Sequence, residues 1–417
     1  MHLAQPTPRY WQRLSLDVLR QRVFGALKQN VNFYDSTLLG VPASHLDSKV
    51  FNREAPILEA APYIKTFVYN PNHIGCHTLG KSERFFQGTQ ALERELIHIC
   101  ATDILRAEPE SCDGYVASGG TEANLQAVWV YRNYFMAEHG AQLEHIRILC
   151  SADTHYSAQK AANVLQVATE VIPIHTDTRR IRTDVLRERL VKLKAEGVTC
   201  AIVICNMMTT MFGSVDHTAD FVEPLQDAGL SFKLHVDGAY GGFYYPFSNQ
   251  GDTDLSFANP HVSSVTLDAH KMAQAPYGTG IFLGRKGLIR YAGTTASYVE
   301  GEDFTLVGSR SGANAVAVWM ILQTHGPYEW YEKVLVLQNR TAWLKAQLDE
   351  LGAYSFRHPH SNIITIQADQ IGAEAALEFG LVPDNHHAPA WYKVVVMEHV
   401  TIDKLLPLLE VVRTNVG

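Results

Sequence analysis

The chain has 417 residues, 46% of them hydrophobic, which suits one large domain with a smaller companion and supplies a sizeable core. Only 19% of the residues are charged and the formal net charge is -8, so neither long disordered tails nor binding to nucleic acid or an anionic membrane is favoured. No apolar stretch approaches the roughly 18 residues that cross a bilayer, and the first residues lack the layout of a signal peptide.

Six cysteines are spread along the chain without a Cys-x-x-Cys pair, and several fall inside apolar runs. They are Cys76, Cys100, Cys112, Cys150, Cys200 and Cys205. Such residues are typical of buried thiols in a reducing compartment. Together with the start of the chain, they predict a soluble, cytoplasmic protein.

The apolar pattern divides the chain near residues 60 and 322. Residues 1–60 read as helices and loops broken by prolines. From about residue 110, short β-branched runs alternate with helical stretches, which is typical of a mainly parallel sheet buried on both faces. The predicted strands are 114–117, 148–150, 171–174, 201–205, 234–236, 265–267 and 281–283. Residues 61–322 are therefore predicted to form a large α/β domain that binds its ligands at the carboxyl ends of the strands.

The last part of the chain, residues 323–417, has a different pattern. A long helix over 328–351 ends at Gly352, and two strands follow at 362–367 and 393–397. A final helix begins near Thr401, a suitable N-cap residue. This order predicts a small C-terminal α+β domain.

A glycine turn, Gly119 and Gly120, follows the strand at 114–117 and precedes a helix. Glycines let backbone N–H groups approach an anion, and the helix N-terminus favours negative charge. The hydroxyls of Ser118 and Thr121 add donors. The turn therefore suits a phosphate group, although glycine turns before helices are also common without a ligand.

Asp237 stands at the end of an apolar strand and is followed by the small residues Gly238 and Ala239. A carboxylate there can pair with a protonated pyridine nitrogen, and small neighbours leave room for a flat ring. A carboxylate that caps a turn or a helix is the alternative.

Lys271 ends the next predicted strand, after Asp268 and His270. Most lysines are solvated, but burial at a strand end lowers the pKa of a lysine and favours Schiff-base formation. A phosphate cradle, an aspartate and a lysine, in that order, are the parts that hold pyridoxal 5′-phosphate (PLP). The sequence therefore predicts a PLP site.

Other histidine and glycine motifs in the sequence are candidates for a ring contact, a metal site or a nucleotide site. His155 follows a strand and can stack on a flat heteroaromatic ring, although a packed loop histidine fits equally. His73 and His77 stand four apart without a His-Glu-x-x-His motif, so no metal site is predicted. No Gly-x-Ser-x-Gly elbow appears, and Gly278 and Gly280 precede a strand rather than a helix, so neither a serine hydrolase nor a dinucleotide site is indicated.

Six segments, in this order, resemble the group II PLP-dependent decarboxylases, which include glutamate, aromatic amino-acid and archaeal tyrosine/aspartate decarboxylases. They are SGGTEAN at 118–124, TTMFGSVD at 209–216, HVDGAYGG at 235–242, DAHK at 268–271, GSRSGA at 308–313 and VVVMEHVT at 394–401. The resemblance covers most of residues 70–400. The segments around Arg310 and at the C-terminus look most like the archaeal tyrosine/aspartate branch.

The resemblance implies a type I PLP fold and an obligate homodimer with shared active sites, to which residues 1–60 would contribute. It implies that Lys271 forms the Schiff base, that Asp237 binds the pyridine nitrogen, and that His155 and Ala239 flank the ring. It also implies the following cofactor and proton-transfer residues: Gly119, Gly120 and Thr121 in the phosphate cup, Thr210 and His270 along the cofactor, and Tyr298 as a donor of a proton to the substrate Cα.

Substrate specificity stays open at the level of sequence. Gly238, Met208 and Lys393 depart from the family pattern, where alanine, glycine and often arginine stand. Arg310 suits either an acidic substrate or a structural role, and the aromatic run at 243–245 suits either an aromatic substrate or the core. His73 and His77 are candidates to enter the substrate site.

The function that these observations imply is PLP-dependent decarboxylation of an L-amino acid to the amine and CO2. A PLP-dependent carbon–carbon lyase of the phosphosphingoid type shares several of the motifs and is the main alternative. An aminotransferase and a PLP-binding homologue without catalysis are further alternatives. The nature of the products separates them.

Overall fold

The computed structural model describes residues 8–30, 84–295, 297 and 302–416. His73, His77, Cys76 and Tyr298 lie outside the described residues, as does most of the predicted N-terminal segment. Within the described part of the chain, no helix is long and apolar enough to cross a membrane.

A seven-stranded sheet forms the centre of the large domain. Its strands are β1 (Cys112–Ala117), β2 (Ile146–Ser151), β3 (Ala168–Ile172), β4 (Cys200–Asn206), β5 (Ser231–Gly238), β6 (Val262–Asp268) and β7 (Gly280–Arg285). Their order is β1-β7-β6-β5-β4-β2-β3, and β7 alone runs against its neighbours. The predicted, mainly parallel α/β sheet is confirmed. The third predicted run, 171–174, starts three residues and ends two residues later than β3, because this edge strand begins with an exposed residue and half-buried ones that give no apolar signal.

Helices cover both faces of this sheet. The helices are α1 (Leu16–Gln29), α2 (Gln87–His98), α3 (Gly120–His139), α4 (Ser157–Leu165), α5 (Thr183–Ala195), α6 (Thr218–Asp227), α7 (Tyr245–Ser248), α8 (Gly312–Glu350), α9 (Ala373–Glu378) and α10 (Ile402–Val416). On β4, Ile202 and Ile204 join one hydrophobic core, while Val203 joins the other. This double burial explains why the strand is a continuous apolar run.

The small domain is built on a four-stranded antiparallel sheet. Its strands are β10 (Ser355–Phe356), β11 (Ile363–Gln367), β12 (Val382–Pro383) and β13 (Trp391–Val395), in the order β10-β11-β13-β12. A two-stranded ribbon, β8 (Thr294–Thr295) and β9 (Glu302–Asp303), lies in the chain between the two sheets. The predicted helix at 328–351 is the second half of α8, which bends at Gly326 and Pro327. The predicted domain division at 322 falls inside α8, four residues before this bend.

Gly280 and Gly119 approach each other closely where β7 begins and β1 ends. Gly280 begins β7 and pairs with Ala117 at the end of β1. A Cβ on Gly280 would lie 2.3 Å from the backbone carbon of Gly119, so a side chain there would displace the glycine turn. The turn after β1 therefore rests on β7 at the edge where β4, β5 and β6 end.

Candidate active site

A cavity of about 340 Å³ opens at the carboxyl edge of the sheet. The nine residues predicted to contact the cofactor all line it. They are Gly119, Gly120, Thr121, His155, Thr210, Asp237, Ala239, His270 and Lys271. Turns after five strands bring these residues together from a stretch of more than 150 positions, because parallel strands end at one edge.

Lys271 is held at the cavity by an aspartate that the sequence prediction passed over. Its Nζ lies 3.0 Å from Oδ2 of Asp268, and Nε2 of His270 lies 3.5 Å from the same oxygen. Burial raises the pKa of Asp268, while the charges of Lys271 and His270 oppose that shift. The spacing of Asp268 and Lys271, i and i+3 after a buried strand, is the sequence signal that could have identified this pair.

Asp237 presents a carboxylate whose two oxygens are both fixed by N–H donors. Asn124 Nδ2 donates to Oδ2 at 2.8 Å, and the backbone N–H of Ala239 donates to Oδ1 at 3.1 Å. The side chain is buried and lines the cavity. A carboxylate held in this way is suited to pairing with a cation or a protonated ring nitrogen.

His155 is one of the two described histidines that line the cavity. The backbone N–H of Ser157 donates to its Nδ1 at 3.2 Å, and Ser157 Oγ lies 2.9 Å from the same nitrogen. Burial lowers the pKa of His155, and the charge of Asp237 partly opposes this effect. The neutral form is therefore favoured, which suits packing against a flat ring.

The glycine turn forms the floor of the cavity. Gly119 has a φ of +151°, which favours glycine, and Gly120 begins the 20-residue helix α3, so the N–H groups of its first turn are without helical partners. The backbone N–H and the hydroxyl of Ser118 both donate to Glu122 Oε2, at 2.7 and 2.5 Å. The Ser118 hydroxyl is thus already used, whereas the N–H groups and Thr121 remain suited to a phosphate.

The residues present fit PLP. Oδ1 of Asp268 and Nδ1 of His270 are buried without a hydrogen-bond partner among the described residues, so the cavity retains unused polar groups. A Cβ on Gly120 would lie 2.8 Å from Oδ2 of Asp268, the partner of Lys271. Glycine is therefore the residue that fits where the turn contacts this carboxylate. Lysine, aspartate, imidazole and anion cradle thus surround one space of suitable size.

Arg310 does not line the cavity. Its guanidinium forms an ion pair with Glu93, with Nη2 3.1 Å from Oε2, and both side chains are buried. Val116, next to the glycine turn, donates its N–H to Glu93 at 2.7 Å and accepts a bond from Arg310 at 3.2 Å. This position favours the structural reading of Arg310 over substrate binding. The aromatic run at 243–245 is likewise buried in the core.

Replacing Arg310 by methionine is expected to destabilise the fold by about 3–5 kcal/mol, because Glu93 would keep a buried charge without its partner. Urea unfolding followed by circular dichroism measures this change. The matched control is Arg187→Met, since the Arg187–Asp227 pair is largely exposed and is expected to contribute less than about 1 kcal/mol. Equal losses for the two variants would contradict a structural role for the buried pair.

Several lining residues were not predicted from the sequence. They are Asn124, Asn206, Tyr156, Met208, Thr209, Tyr240, Asp268, Tyr277 and Gly278, besides Glu122 of the turn. Asn124 had a usable signal, because it precedes Ala127, Val128 and Tyr131 by three, four and seven residues and therefore shares their buried face of α3. Tyr277 and Tyr156 had none, since exposed aromatic residues in turns carry no pattern. Among the described residues, no group of three or more side chains could hold a metal ion.

Comparison with known proteins also indicates a PLP-dependent enzyme. Residues 91–356 match the model of the pyridoxal-dependent decarboxylase conserved domain. The chain is 44% identical over 403 residues to a tryptophan decarboxylase of Clostridium sporogenes, covering 96% of both chains. It is 31% identical to a probable L-tyrosine/L-aspartate decarboxylase of Methanothermobacter thermautotrophicus, over 79% of this chain and 89% of the relative.

A solved structure extends the comparison to the fold. A crystal structure of L-methionine decarboxylase from a Streptomyces species superposes with a TM-score of 0.71 at 21% identity, over 96% of this chain and 94% of that chain. At this level of identity the likeness concerns the fold. The predicted type I PLP fold is confirmed.

Proposed function

Because the chain belongs to the pyridoxal-dependent decarboxylase family and is a PLP-dependent amino-acid decarboxylase, we propose that it acts on an aromatic L-amino acid, with L-tryptophan as the principal substrate. The observation that carries this proposal is the 44% identity, over 96% of both chains, to a tryptophan decarboxylase. The products would be tryptamine and CO2.

The charge of the cavity supports an aromatic substrate over an acidic one. Among the described residues that line it, Lys271 is the one lysine or arginine. Lys393 does not line the cavity, and its Nζ donates to the backbone carbonyl of Thr210 at 2.8 Å. An aspartate side chain would therefore find no described lysine or arginine besides Lys271 in the lining of the cavity, and an unpaired carboxylate is costly to desolvate. Tyr277, Tyr240 and Met208 offer aromatic and polarisable surface instead.

When bound, PLP supplies the electron sink into which the Cα–carboxylate bond breaks. Lys271 would hold the cofactor covalently and release it to the substrate amine. Asp237 would hold the proton on the ring nitrogen, while His155 and Ala239 would pack against the two ring faces. Gly119, Gly120 and Thr121 would bind the phosphate, and Thr210 and His270 would line the cofactor.

The proton that replaces CO2 on Cα is assigned to Tyr298, with Lys271 as the alternative donor. Tyr298, like the proposed substrate residues His73 and His77, lies outside the described residues. The enzyme would orient the scissile carboxylate perpendicular to the ring and deliver this proton without free access of water.

A homodimer in the cytoplasm completes the proposal. Tyr277 is 86% exposed although its ring stacks on His270, and Tyr156 is 59% exposed beside His155. Exposed aromatic rings at the rim of a cavity are a surface that a second subunit would cover. The five described cysteines are all buried free thiols, which suits a reducing compartment.

The test is a substrate panel with the PLP-loaded protein. L-tryptophan, L-tyrosine, L-phenylalanine and L-aspartate are incubated separately, and products are identified by mass spectrometry, with heat-inactivated protein as blank. We expect tryptamine, with a kcat/KM at least about 100-fold above that for aspartate. β-Alanine as the main product would overturn the aromatic assignment in favour of the acidic substrates named for the archaeal relatives.

A further inference from the structure

Asn124 is a buried amide that contacts Asp237 but is not part of the glycine turn. We propose that Asn124 is a positioning residue that holds Asp237 in place, and that His235 and Ser157 together fix the orientation of its amide. This inference rests on the proposed contact of Asp237 with the ring nitrogen of PLP. It adds to that contact the residues that maintain it.

Both N–H groups of the Asn124 amide are used. Nδ2 donates to Asp237 Oδ2 at 2.8 Å and to Ser157 Oγ at 2.9 Å. A primary amide has two such hydrogens, so each partner receives one. The amide is thus held between the carboxylate and the serine that contacts His155.

Ser157 fixes the amide from one side. The backbone N–H of Ser157 donates to His155 Nδ1, so this nitrogen carries no proton and accepts a second bond from the Ser157 hydroxyl at 2.9 Å. The serine oxygen then faces Asn124 as an acceptor. Only the NH2 end of the amide satisfies it, and the same contacts leave the His155 proton on Nε2.

His235 fixes the amide from the other side. Its side chain is fully buried on β5, two residues before Asp237, and burial lowers its pKa to about 4, so it is neutral near pH 7. Nε2 lies 2.9 Å from Oδ1 of Asn124 and 3.2 Å from the hydroxyl of Thr266. A carbonyl oxygen only accepts, so Nε2 carries the proton and donates it at the shorter distance to Asn124. Nδ1 then accepts from Ser264 Oγ at 2.7 Å, and Ser264 accepts from Tyr131.

The contacts form a directed chain of donors that ends on the carboxylate. Hydroxyl, imidazole and amide each donate toward Asp237, and such chains strengthen their members. A rotated amide would place Oδ1 of Asn124 against Oδ2 of Asp237 at 2.8 Å, where two acceptors repel. His235 and Ser157 oppose this rotation, so the buried carboxylate keeps a charge-assisted bond.

The test compares two cofactors on the apoprotein. PLP and 1-deaza-PLP differ only in the ring nitrogen, which the analogue replaces by C–H, so a defect in Asp237 affects PLP alone. For Asn124→Ala, the Kd of PLP is expected to rise by about tenfold or more, while the Kd of the analogue changes by less than about threefold. Fluorescence titration of each variant measures both constants without any turnover.

Matched variants separate position from general damage. Asn133→Ala removes the same group from the same helix and is expected to keep wild-type selectivity. Among the described residues, its amide bonds to the carbonyl of Tyr291 and to its neighbour Arg132. His235→Leu removes the donor to Oδ1 and should lose selectivity in the same direction as Asn124→Ala. His235→Gln, whose amide can still donate, should retain more of it.

Each outcome decides the proposal. Unchanged selectivity in both Asn124→Ala and His235→Leu, or equal losses for the two cofactors, would overturn it. Asp237→Ala separates the role of Asn124 from the proposed contact of Asp237 with the ring nitrogen. If Asp237→Ala loses selectivity and the other two variants do not, only the role of Asn124 fails. If Asp237→Ala itself keeps wild-type selectivity, the proposed contact with the ring nitrogen fails as well.

Discussion

Lys271→Ala is expected to lower kcat by about 10³-fold or more and to abolish covalent attachment of PLP. We expect this lysine to be the nucleophile, since its Nζ lies 3.0 Å from Asp268 Oδ2 and no other described lysine or arginine lines the cavity. Borohydride reduction followed by peptide mass spectrometry measures the attachment, and product formation measures kcat. In the wild-type protein, reduction should add the cofactor mass to the peptide that contains Lys271.

Two controls separate the covalent role of Lys271 from its ion pair. Lys271→Arg keeps a cation opposite Asp268 but does not condense with an aldehyde, so it should be as inactive as the alanine variant. Lys192→Ala removes an exposed lysine of α5 and should leave kcat unchanged. A Lys271→Ala enzyme with normal rates would refute the assignment.

The strand-end positions explain why much of the site could be predicted from the sequence. Asp237 lies near the end of β5, and Lys271 lies three residues beyond the end of β6, each after a short run in which buried apolar residues alternate with polar ones. Such runs predict buried parallel strands, and parallel strands bring their ends together without further information. The nine residues predicted to contact the cofactor therefore line one cavity.

The parts that could not be predicted depend on contacts between distant positions. Arg310 and Glu93 are 217 residues apart, and Asn124 and Asp237 are 113 apart. A buried arginine and a substrate-binding arginine look the same in the sequence, because only the partner distinguishes them. The sequence predicts a helix that starts at residue 328, whereas α8 starts at Gly312 and bends at Gly326, because glycine and proline mark both bends and true ends of helices.

Several unpredicted contacts surround the glycine turn, next to the residues predicted to contact the cofactor. Glu93 and Arg310 support Val116 before the glycine turn, Glu122 holds Ser118 within it, and Gly280 gives it room. Residues that would touch the cofactor thus have a set of buried polar supports whose partners come from other elements. Precise orientation of a reactive group requires such supports.

Asp237→Asn is expected to lower kcat by about 10²–10³-fold at pH 7 and to weaken PLP binding. In the proposed contact, the carboxylate would raise the pKa of the ring nitrogen, because a negative charge favours the protonated form. A neutral amide of nearly the same shape removes that effect while keeping the packing, so less of the cofactor carries the proton that makes it an electron sink. Steady-state kinetics and titration of the apoprotein with PLP measure the two losses.

The pH dependence of Asp237→Asn provides the sharper test. With the ring nitrogen's pKa lowered, its protonated fraction grows as the pH falls, so the ratio of variant to wild-type kcat should rise from pH 8 to pH 6. Asp227→Asn, on the exposed end of α6, is the matched control and should show a constant ratio. A constant ratio for Asp237→Asn, at any level of activity, would mean that Asp237 does not act on the ring proton, and its contacts with Asn124 and Ala239 would then be structural.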